Sequence, residues 1–382
     1  MKKFFYFIIV IILLTSCEAE KAAETIKIPV QQEPQDKEVT LIAAGDNLIH
    51  SYIYKMAQKN GIEGDFNFLP SYENVSDIIK EADIAFLNQE TVLGGKELGL
   101  SGYPLFNSPA ELGRDMITLG FDVFNTASNH SLDKGETGLK NSFEFWNKNP
   151  DVLAVGVYES AEEMEKIHII ERAGIKFAVL AYTYGTNGIF LNKSSLYKVS
   201  YIDEEIILAQ TKQAKELADI VLVSMHWGTE DKSEVEDDQR DLAIKIANAG
   251  ADAIIGHHPH VLRPVEWITK DDGSKIICAY SLGNFISTQK VAKNLMGGIL
   301  SLKFKIYEYD NRVETMYKEF IPTISNYNLD RSSVKITPFT EMTEEDFKKH
   351  GAYLEDKNVN IKYYTDFLTK LLTTPDSAIA YY

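Results

Sequence analysis

Val39-Thr40-Leu41-Ile42-Ala43-Ala44-Gly45-Asp46-Asn47 is an apolar run that stops on a glycine, a carboxylate and an amide. The run is short and carries no polar face, which predicts a strand covered on both sides. Similar runs recur after amphipathic segments. Ala82–Leu87 follows a helix-like stretch over Ser71–Glu81, and Phe121–Thr126 follows Ala110–Leu119. Ile220–Met225 follows Glu204–Ala218, and Ala253–Ile255 follows Gln239–Ala249. Strands alternating with helical patterns of about 10–15 residues predict an α/β architecture. Ile167–Glu171 and Ile175–Tyr182, separated by Arg172-Ala173-Gly174, predict a hairpin instead, as do Ile276–Ser281 and Ile299–Tyr307 in part. Mixed sheets in two stacked layers are therefore expected.

The predicted strands end in groups able to bind metal, where loops at the carboxyl edge of an α/β sheet place function. Asp46 follows the first strand, Asn88 and Glu90 the second, and Asn129 and His130 the third. His226 and Glu230 follow the next, in His226-Trp227-Gly228-Thr229-Glu230, and Gly256-His257-His258-Pro259-His260 follows Ile254-Ile255. Five of the eight histidines thus fall in these loops, which concentrates the chemistry there. Carboxylates, amide oxygens and imidazoles suit one or two divalent ions such as Mn, Fe or Zn, with no thiolate needed. A pair of ions requires a carboxylate to bridge them, and Glu90 or Asp46 can supply it. A single histidine or asparagine at a strand end is more often a hydrogen-bonded cap. Three imidazoles within four residues are costly to pack without a shared partner.

The 382 residues contain two cysteines, Cys17 and Cys278, which excludes a disulfide scaffold and a cysteine-rich zinc module. The net charge of −17 makes nucleic acid a poor partner, because affinity for its backbone comes from basic groups. At the start, Lys2 and Lys3 precede the apolar run Phe4–Leu14, which fits the core of a signal peptide and is too short to span a bilayer. Leu14-Thr15-Ser16-Cys17 resembles a bacterial lipobox, so residues 1–17 are expected to be a lipoprotein signal with Cys17 lipidated. An ordinary signal peptide with an incidental cysteine is the alternative. Residues 18–38 are polar and aperiodic, which predicts a flexible tether. The folded domain is expected over residues 39–325. A C-terminal extension, 326–382, follows, partly helical over Thr343–His350 and Asn360–Leu372.

The series Gly45-Asp46, Asn88-Gln89-Glu90, Asn129-His130-Ser131-Leu132-Asp133-Lys134-Gly135, His226-Trp227-Gly228-Thr229-Glu230, Gly256-His257-His258-Pro259-His260 and Ser281-Leu282-Gly283-Asn284-Phe285 resembles the CapA family of capsule or poly-γ-glutamate synthesis proteins. That family is similar to the calcineurin-like metallophosphatases. The resemblance implies a four-layer α/β/β/α sandwich with mixed sheets and a metal centre at the strand ends. It places Asp46 as the first aspartate, Glu90 as the bridging carboxylate and Asn129 as a ligand. His226, His258 and His260 complete the metal set, and His130 protonates the leaving group or steadies the transition-state charge. The role of His257 is open.

The sequence departs from the phosphatase pattern in two places. The position two after Asp46 is Leu48 where a histidine is usual, so one ligand is missing unless His50 or a water replaces it. Asn88-Gln89-Glu90 stands where Gly-Asp-x-x-Asp is usual. Asn88, Glu230, His257 and Asn284 are further candidates to bind metal or orient substrate, and Arg263 is either a clamp for an anionic substrate or an exposed structural residue. Ser224, Ser281 and Ser287 lack a diagnostic His/Asp partner, which disfavours a serine hydrolase. The expectation is an extracytoplasmic lipoprotein of a bacterial membrane, acting on an envelope polymer, with a polymer-synthesis complex as its candidate partner. Metal-dependent hydrolysis is its expected chemistry. A non-catalytic assembly subunit that keeps the fold is the alternative.

Overall fold

Buried apolar strands need cover on both faces, and here each of two sheets lies between the other and a layer of helices. The computed structural model describes residues 35–373 and 376–379. The signal peptide, Cys17 and residues 18–34 lie outside the described residues. In the first sheet the order is Val334–Pro338, Arg312–Tyr327, Met296–Tyr307, Lys37–Asn47, Ile84–Asn88, Val123–Asn125 and Leu153–Val155. The last four are mutually parallel, and the first three join antiparallel. A short strand, Asn284–Ile286, pairs parallel with the end of Lys37–Asn47 and sets Asn284 opposite Asp46. The second sheet runs Val265–Thr269, Lys275–Ala279, Ala253–His257, Ile220–His226, Ile175–Thr183 and Ile169–Arg172. Its middle four strands are parallel and its edges antiparallel.

The strand period of two sorts side chains between layers. Along Ile220–His226, Leu222 packs into the core shared with the first sheet, whereas Val221, Val223 and Met225 pack with Ile207, Ala214, Ala243 and Ile246 of two helices. Those helices are Glu204–Leu217 and Asp237–Ala249. Ile53, Leu112, Met116 and Trp146 bring helices Ser51–Asn60, Ala110–Leu119 and Gly135–Asn147 into the core of the first sheet. The result is the expected α/β/β/α sandwich with mixed sheets. Among the described residues no helix is long and apolar enough to cross a membrane.

Three expectations need correction. Ile276 and its neighbours do not pair with Ile299–Tyr307: Lys275–Ala279 forms a hairpin with Val265–Thr269, while Met296–Tyr307 turns into Arg312–Tyr327 in the other sheet. Ser71–Glu81 is not one helix but two short 3₁₀ turns, Leu69–Ser71 and Glu73–Val75, and the five-residue helix Ser76–Lys80. The boundary at 325 falls inside the strand Arg312–Tyr327, and residues from Gln35 onward form one compact unit. Val334, Ile336, Phe347, Tyr364 and Leu368 are part of the main core, so the C-terminal segment is built into the sandwich. Its helices, Glu344–Lys349 and Ile361–Leu372, lie where the sequence places them.

Parallel strands in register deliver their ends to one edge. Asp46 is aligned with Asn88, and Asn88 with Asn125. In the other sheet Thr183 is aligned with His226, and His226 with His257.

Candidate metal centre

Asp46 sits where two backbones approach closely. A Cβ at Gly45 would lie 2.0 Å from the Gly283 carbonyl oxygen, so only glycine fits before Asp46. The Asp46 amide donates to that same oxygen at 2.9 Å. Asn88 Nδ2 donates to Asp46 Oδ1 at 2.8 Å and Asn88 Oδ1 accepts from Asn125 Nδ2 at 2.8 Å, so both ends of the Asn88 amide are used in orienting the aspartate. Asp46 Oδ2 lies 3.0 Å from His260 Nδ1, and Oδ1 lies 3.6 Å from His257 Nδ1. Burial works against the Asp46 carboxylate, but His257 and His260 outweigh it and hold its pKa below the usual range.

Glu90 is fully buried, and neither carboxylate oxygen has a hydrogen-bond partner among the described residues. Its Oε1 is 3.6 Å from His260 Nε2 and 3.9 Å from His226 Nε2. Burial pushes its pKa well above the carboxylate range, opposed by His260 and reinforced by Asp46, Glu230 and Asp133. Such a group is expensive to bury without a compensating positive charge.

The histidine loop is strained. His258 has φ 97° and His260 φ 58°, a region that non-glycine residues rarely adopt and that costs on the order of 1–3 kcal/mol each. Strain of this kind persists where the surroundings dictate it, and here each of the two imidazoles has a ligand atom within 4.8 Å of Glu90. Burial lowers the His226 pKa well below its ordinary value and takes His258 down to about 3, with neighbouring histidines adding to both shifts, so both rings are neutral. Burial opposes the charged form of His260 as well, but Glu90 and Asp46 overcome it and push its pKa up to about 10.

Three groups of side chains bring one ligand atom each within 4.8 Å of one another: Asp46, Glu90 and His260; Glu90, His226 and His258; and Glu230, His258 and His260. Glu90 belongs to the first two. Asn129 Oδ1 lies 2.8 Å from His226 Nε2, which adds an amide oxygen on that side. His257 stacks on Phe86 at 5.6 Å, and neither of its ring nitrogens has a hydrogen-bond partner among the described residues. Buried nitrogens and carboxylate oxygens without partners, converging from five loops, form a donor set that fits divalent metal.

His130 stands beside this set. Its Nδ1 is 2.7 Å from Asp133 Oδ2, and the same oxygen accepts the Phe106 amide at 2.6 Å. With Nδ1 committed to the carboxylate, Nε2 is the atom left for proton transfer. Asp133, inside the stretch Asn129–Gly135, is a site residue that sequence reasoning misses, and its spacing three after His130 is the available signal. Tyr184 and Asn187 are missed as well. The Tyr184 ring lies 4.5 Å from that of His258, and Asn187 Oδ1 accepts from Asn129 Nδ2 at 3.3 Å. Both follow the strand Ile175–Thr183, whose hairpin pattern conceals its second, parallel neighbour.

His50 belongs to none of the three groups. Its Nδ1 accepts the Thr288 amide at 3.3 Å and its ring packs edge-on against Phe106. Asn284 Nδ2 donates to the Asn294 carbonyl at 2.8 Å and to Gln289 Oε1 at 2.7 Å, which leaves its buried Oδ1 without a partner among the described residues. Arg263 is neither a substrate clamp nor an exposed residue. It is fully buried and donates to the carbonyls of Lys232 and Thr229, to Glu236 and to Gln239. These bonds pin the loop that carries Glu230.

The sequence profile described as "Bacterial capsule synthesis protein PGA_cap" matches residues 40–289. The chain is 31% identical over 271 residues to "PGA biosynthesis protein CapA" of Bacillus subtilis, covering 70% of this chain and 67% of that protein. It is 28% identical over 270 residues to "Capsule biosynthesis protein CapA" of Bacillus anthracis, covering 68% of this chain and 62% of that protein. Among solved structures it is similar to a 5'-nucleotidase precursor from Thermus thermophilus, with 13% identity, 87% of this chain and 59% of that chain covered, and a TM-score of 0.45. It is also similar to the calcineurin-like phosphoesterase YfkN from Bacillus subtilis, with 15% identity, 88% and 99% covered, and a TM-score of 0.41.

Proposed function

The chain belongs to the PGA_cap family of bacterial capsule synthesis proteins, and from that premise we propose that it is a metal-dependent hydrolase acting on an envelope polymer such as poly-γ-glutamate during synthesis, export or processing. Lipid on Cys17 would hold it at the outer side of the bacterial membrane, near the enzymes that assemble the polymer. The observation that carries the chemical part is Glu90: a buried carboxylate whose two oxygens have no hydrogen-bond partner among the described residues, shared by two separate ligand groups.

On this reading Asp46, Glu90, His260, His226, His258 and Asn129 would hold one or two divalent ions, with Glu90 common to two of the ligand groups. Metal at such a site supplies positive charge to polarise a phosphoryl or acyl oxygen and acidify water. The protein's own residues supply the rest. Asn88 keeps Asp46 aimed through the hydrogen bond to Oδ1. Asp133 holds the His130 ring so that Nε2 can give a proton to the leaving oxygen or nitrogen. Tyr184 covers His258 and His226 from the solvent side. Asn187 keeps the Asn129 amide turned so that its oxygen meets His226.

Leu48, in place of a histidine after Asp46, favours a second reading: an assembly or polymer-handling subunit that has kept the fold without turnover. Assay of the domain from residue 35 onward against phosphomonoesters, phosphodiesters and γ-glutamyl oligomers, with and without Mn, decides between them. Metal-dependent turnover abolished by His130→Ala supports the enzyme; no turnover on any substrate by protein with its full metal complement supports the subunit.

A further inference from the structure

Beside the metal centre a groove of 660 Å³ opens between the segment after Asp46 and the segment after Asn284. His50, Tyr52, Tyr103, Thr288, Lys290 and Arg331 line it. His50 connects the two sites, since its ring packs on Phe106 at 5.3 Å and Phe106 packs on His130 at 4.7 Å. Arg331 is the unusual member. Its guanidinium lies 4.5 Å over the ring of Tyr52 and 5.9 Å from that of Tyr327, with its side chain only 18% exposed. Among the described residues the nearest carboxylate oxygen, Glu355 Oε1, is 3.8 Å away, and the other oxygen of Glu355 is taken by Lys290 Nζ at 2.9 Å.

A guanidinium carries five N–H donors in a planar fork, and covering it without hydrogen bonds is unfavourable. Among the described residues the Arg331 side chain donates none, while the rings of Tyr52 and Tyr327 lie against it. A fixed fork of this kind matches a carboxylate. Two cations against one carboxylate leave the groove locally positive on a chain whose net charge is −17, so an acidic ligand is drawn here rather than to the surrounding surface. The exposed rings of Tyr52 and Tyr103 add apolar faces for the methylene groups between successive carboxylates.

We propose that Arg331, with Lys290 and Tyr52, binds a carboxylate of an extended acidic polyamide and so leads that chain toward the metal centre. The assignment deepens the polymer reading above and rests on it for the identity of the chain. Arg331 is a positioning residue for substrate. Glu355 is the internal competitor that an incoming carboxylate displaces.

Calorimetric titration of a γ-linked glutamate hexamer into metal-loaded protein tests this, with the fully amidated hexamer and inorganic phosphate as controls and metal content measured on every sample. The expected result is hexamer binding that weakens at least tenfold in Arg331→Gln, weakens less in Arg331→Lys, and tightens several-fold in Glu355→Gln. The amidated hexamer should not bind, and phosphate should be indifferent to Arg331. Equal hexamer affinity in wild type and Arg331→Gln overturns the groove assignment and leaves the metal reading intact. Arg331-dependent binding by protein that retains no metal overturns the metal reading and leaves the groove. Absence of hexamer binding by metal-loaded wild type overturns the polymer reading together with the assigned ligand. Glu355→Gln carries the test if the Arg331 variants do not fold.

Discussion

Oε1 of Glu90 lies 3.6 Å from Nε2 of His260, and these two fully or nearly fully buried groups are bound into separate loops of the two sheets. Neither oxygen of Glu90 receives a hydrogen bond from the described residues, so the carboxyl group is a liability to the fold in the absence of metal. Glu90→Gln removes the charge at nearly constant volume. Without metal the variant should unfold at the same temperature as wild type or higher. Its affinity for divalent metal should fall by roughly 100-fold or more, since Glu90 belongs to two of the three ligand groups. Thermal scans with and without metal, paired with elemental analysis, check both halves.

Metal binding should release protons. Glu90 is held above the carboxylate range by burial, and His260 is pushed up to about 10 despite burial by Glu90 and Asp46. His260 must lose its proton to act as a ligand, so affinity should rise with pH across the neutral range. Calorimetry in buffers of different ionisation enthalpy should report net proton release near pH 7. A pH-independent affinity would contradict the assigned ligands.

Asp133→Asn leaves the metal groups untouched and removes the carboxylate 2.7 Å from His130 Nδ1. The amide can present an N–H to that nitrogen and favour the wrong tautomer. Turnover should fall by about 10²–10⁴-fold with metal content unchanged and the pH profile altered. Unchanged turnover with the wild-type pH profile would remove Asp133 from the mechanism.

Arg263 acts on stability. Replacement by alanine strands Glu236 and two carbonyls and empties a buried site, so Arg263→Ala should destabilise the fold by roughly 3–5 kcal/mol. Denaturant titration measures the loss. A variant of wild-type stability with a raised KM would restore the substrate clamp that its burial argues against.

His350 predicts a loss of stability in mild acid. Its Nε2 lies 2.9 Å from the Ser325 carbonyl oxygen and its Nδ1 accepts the Ala352 amide at 3.1 Å, an arrangement that only the neutral ring satisfies. Burial lowers its pKa from 6.5 to about 4. Between those values the unfolded chain binds a proton that the folded chain refuses, so stability falls as pH drops through that window, by about 3 kcal/mol in all. His350→Gln should flatten this part of a denaturant-midpoint curve measured from pH 7 to pH 4.

The strand ends were legible because parallel strands in register align polar residues at one edge, and Asp46, Glu90, His226 and the histidine loop each close an apolar run. The helical cover of the second sheet was legible for the same reason, in Glu204–Leu217 and Asp237–Ala249. Partner choice among strands was not. Lys275–Ala279 and Met296–Tyr307 have equally apolar patterns, and only tertiary packing sends them to different sheets. Helices Ser51–Asn60 and Gly135–Asn147 were hidden by polar faces and by a weak start without side-chain caps. Arg263 looks like any surface arginine beside a loop, since burial of a charge depends on carbonyls and carboxylates far away in sequence. Asp133 and Arg331 illustrate the same limit from the side of function: each is defined by a partner ring or groove that the chain assembles only when folded.

The proposed function stands on a divalent-metal centre organised around Glu90. Elemental analysis of the domain from residue 35 onward, followed by anomalous X-ray diffraction from crystals grown with Mn, tests it most directly. Two ions per chain are expected, with anomalous peaks beside the Glu90 carboxylate and both lost in Glu90→Gln. Protein that retains no divalent metal under saturating Mn, or peaks that survive Glu90→Gln unchanged, would contradict it.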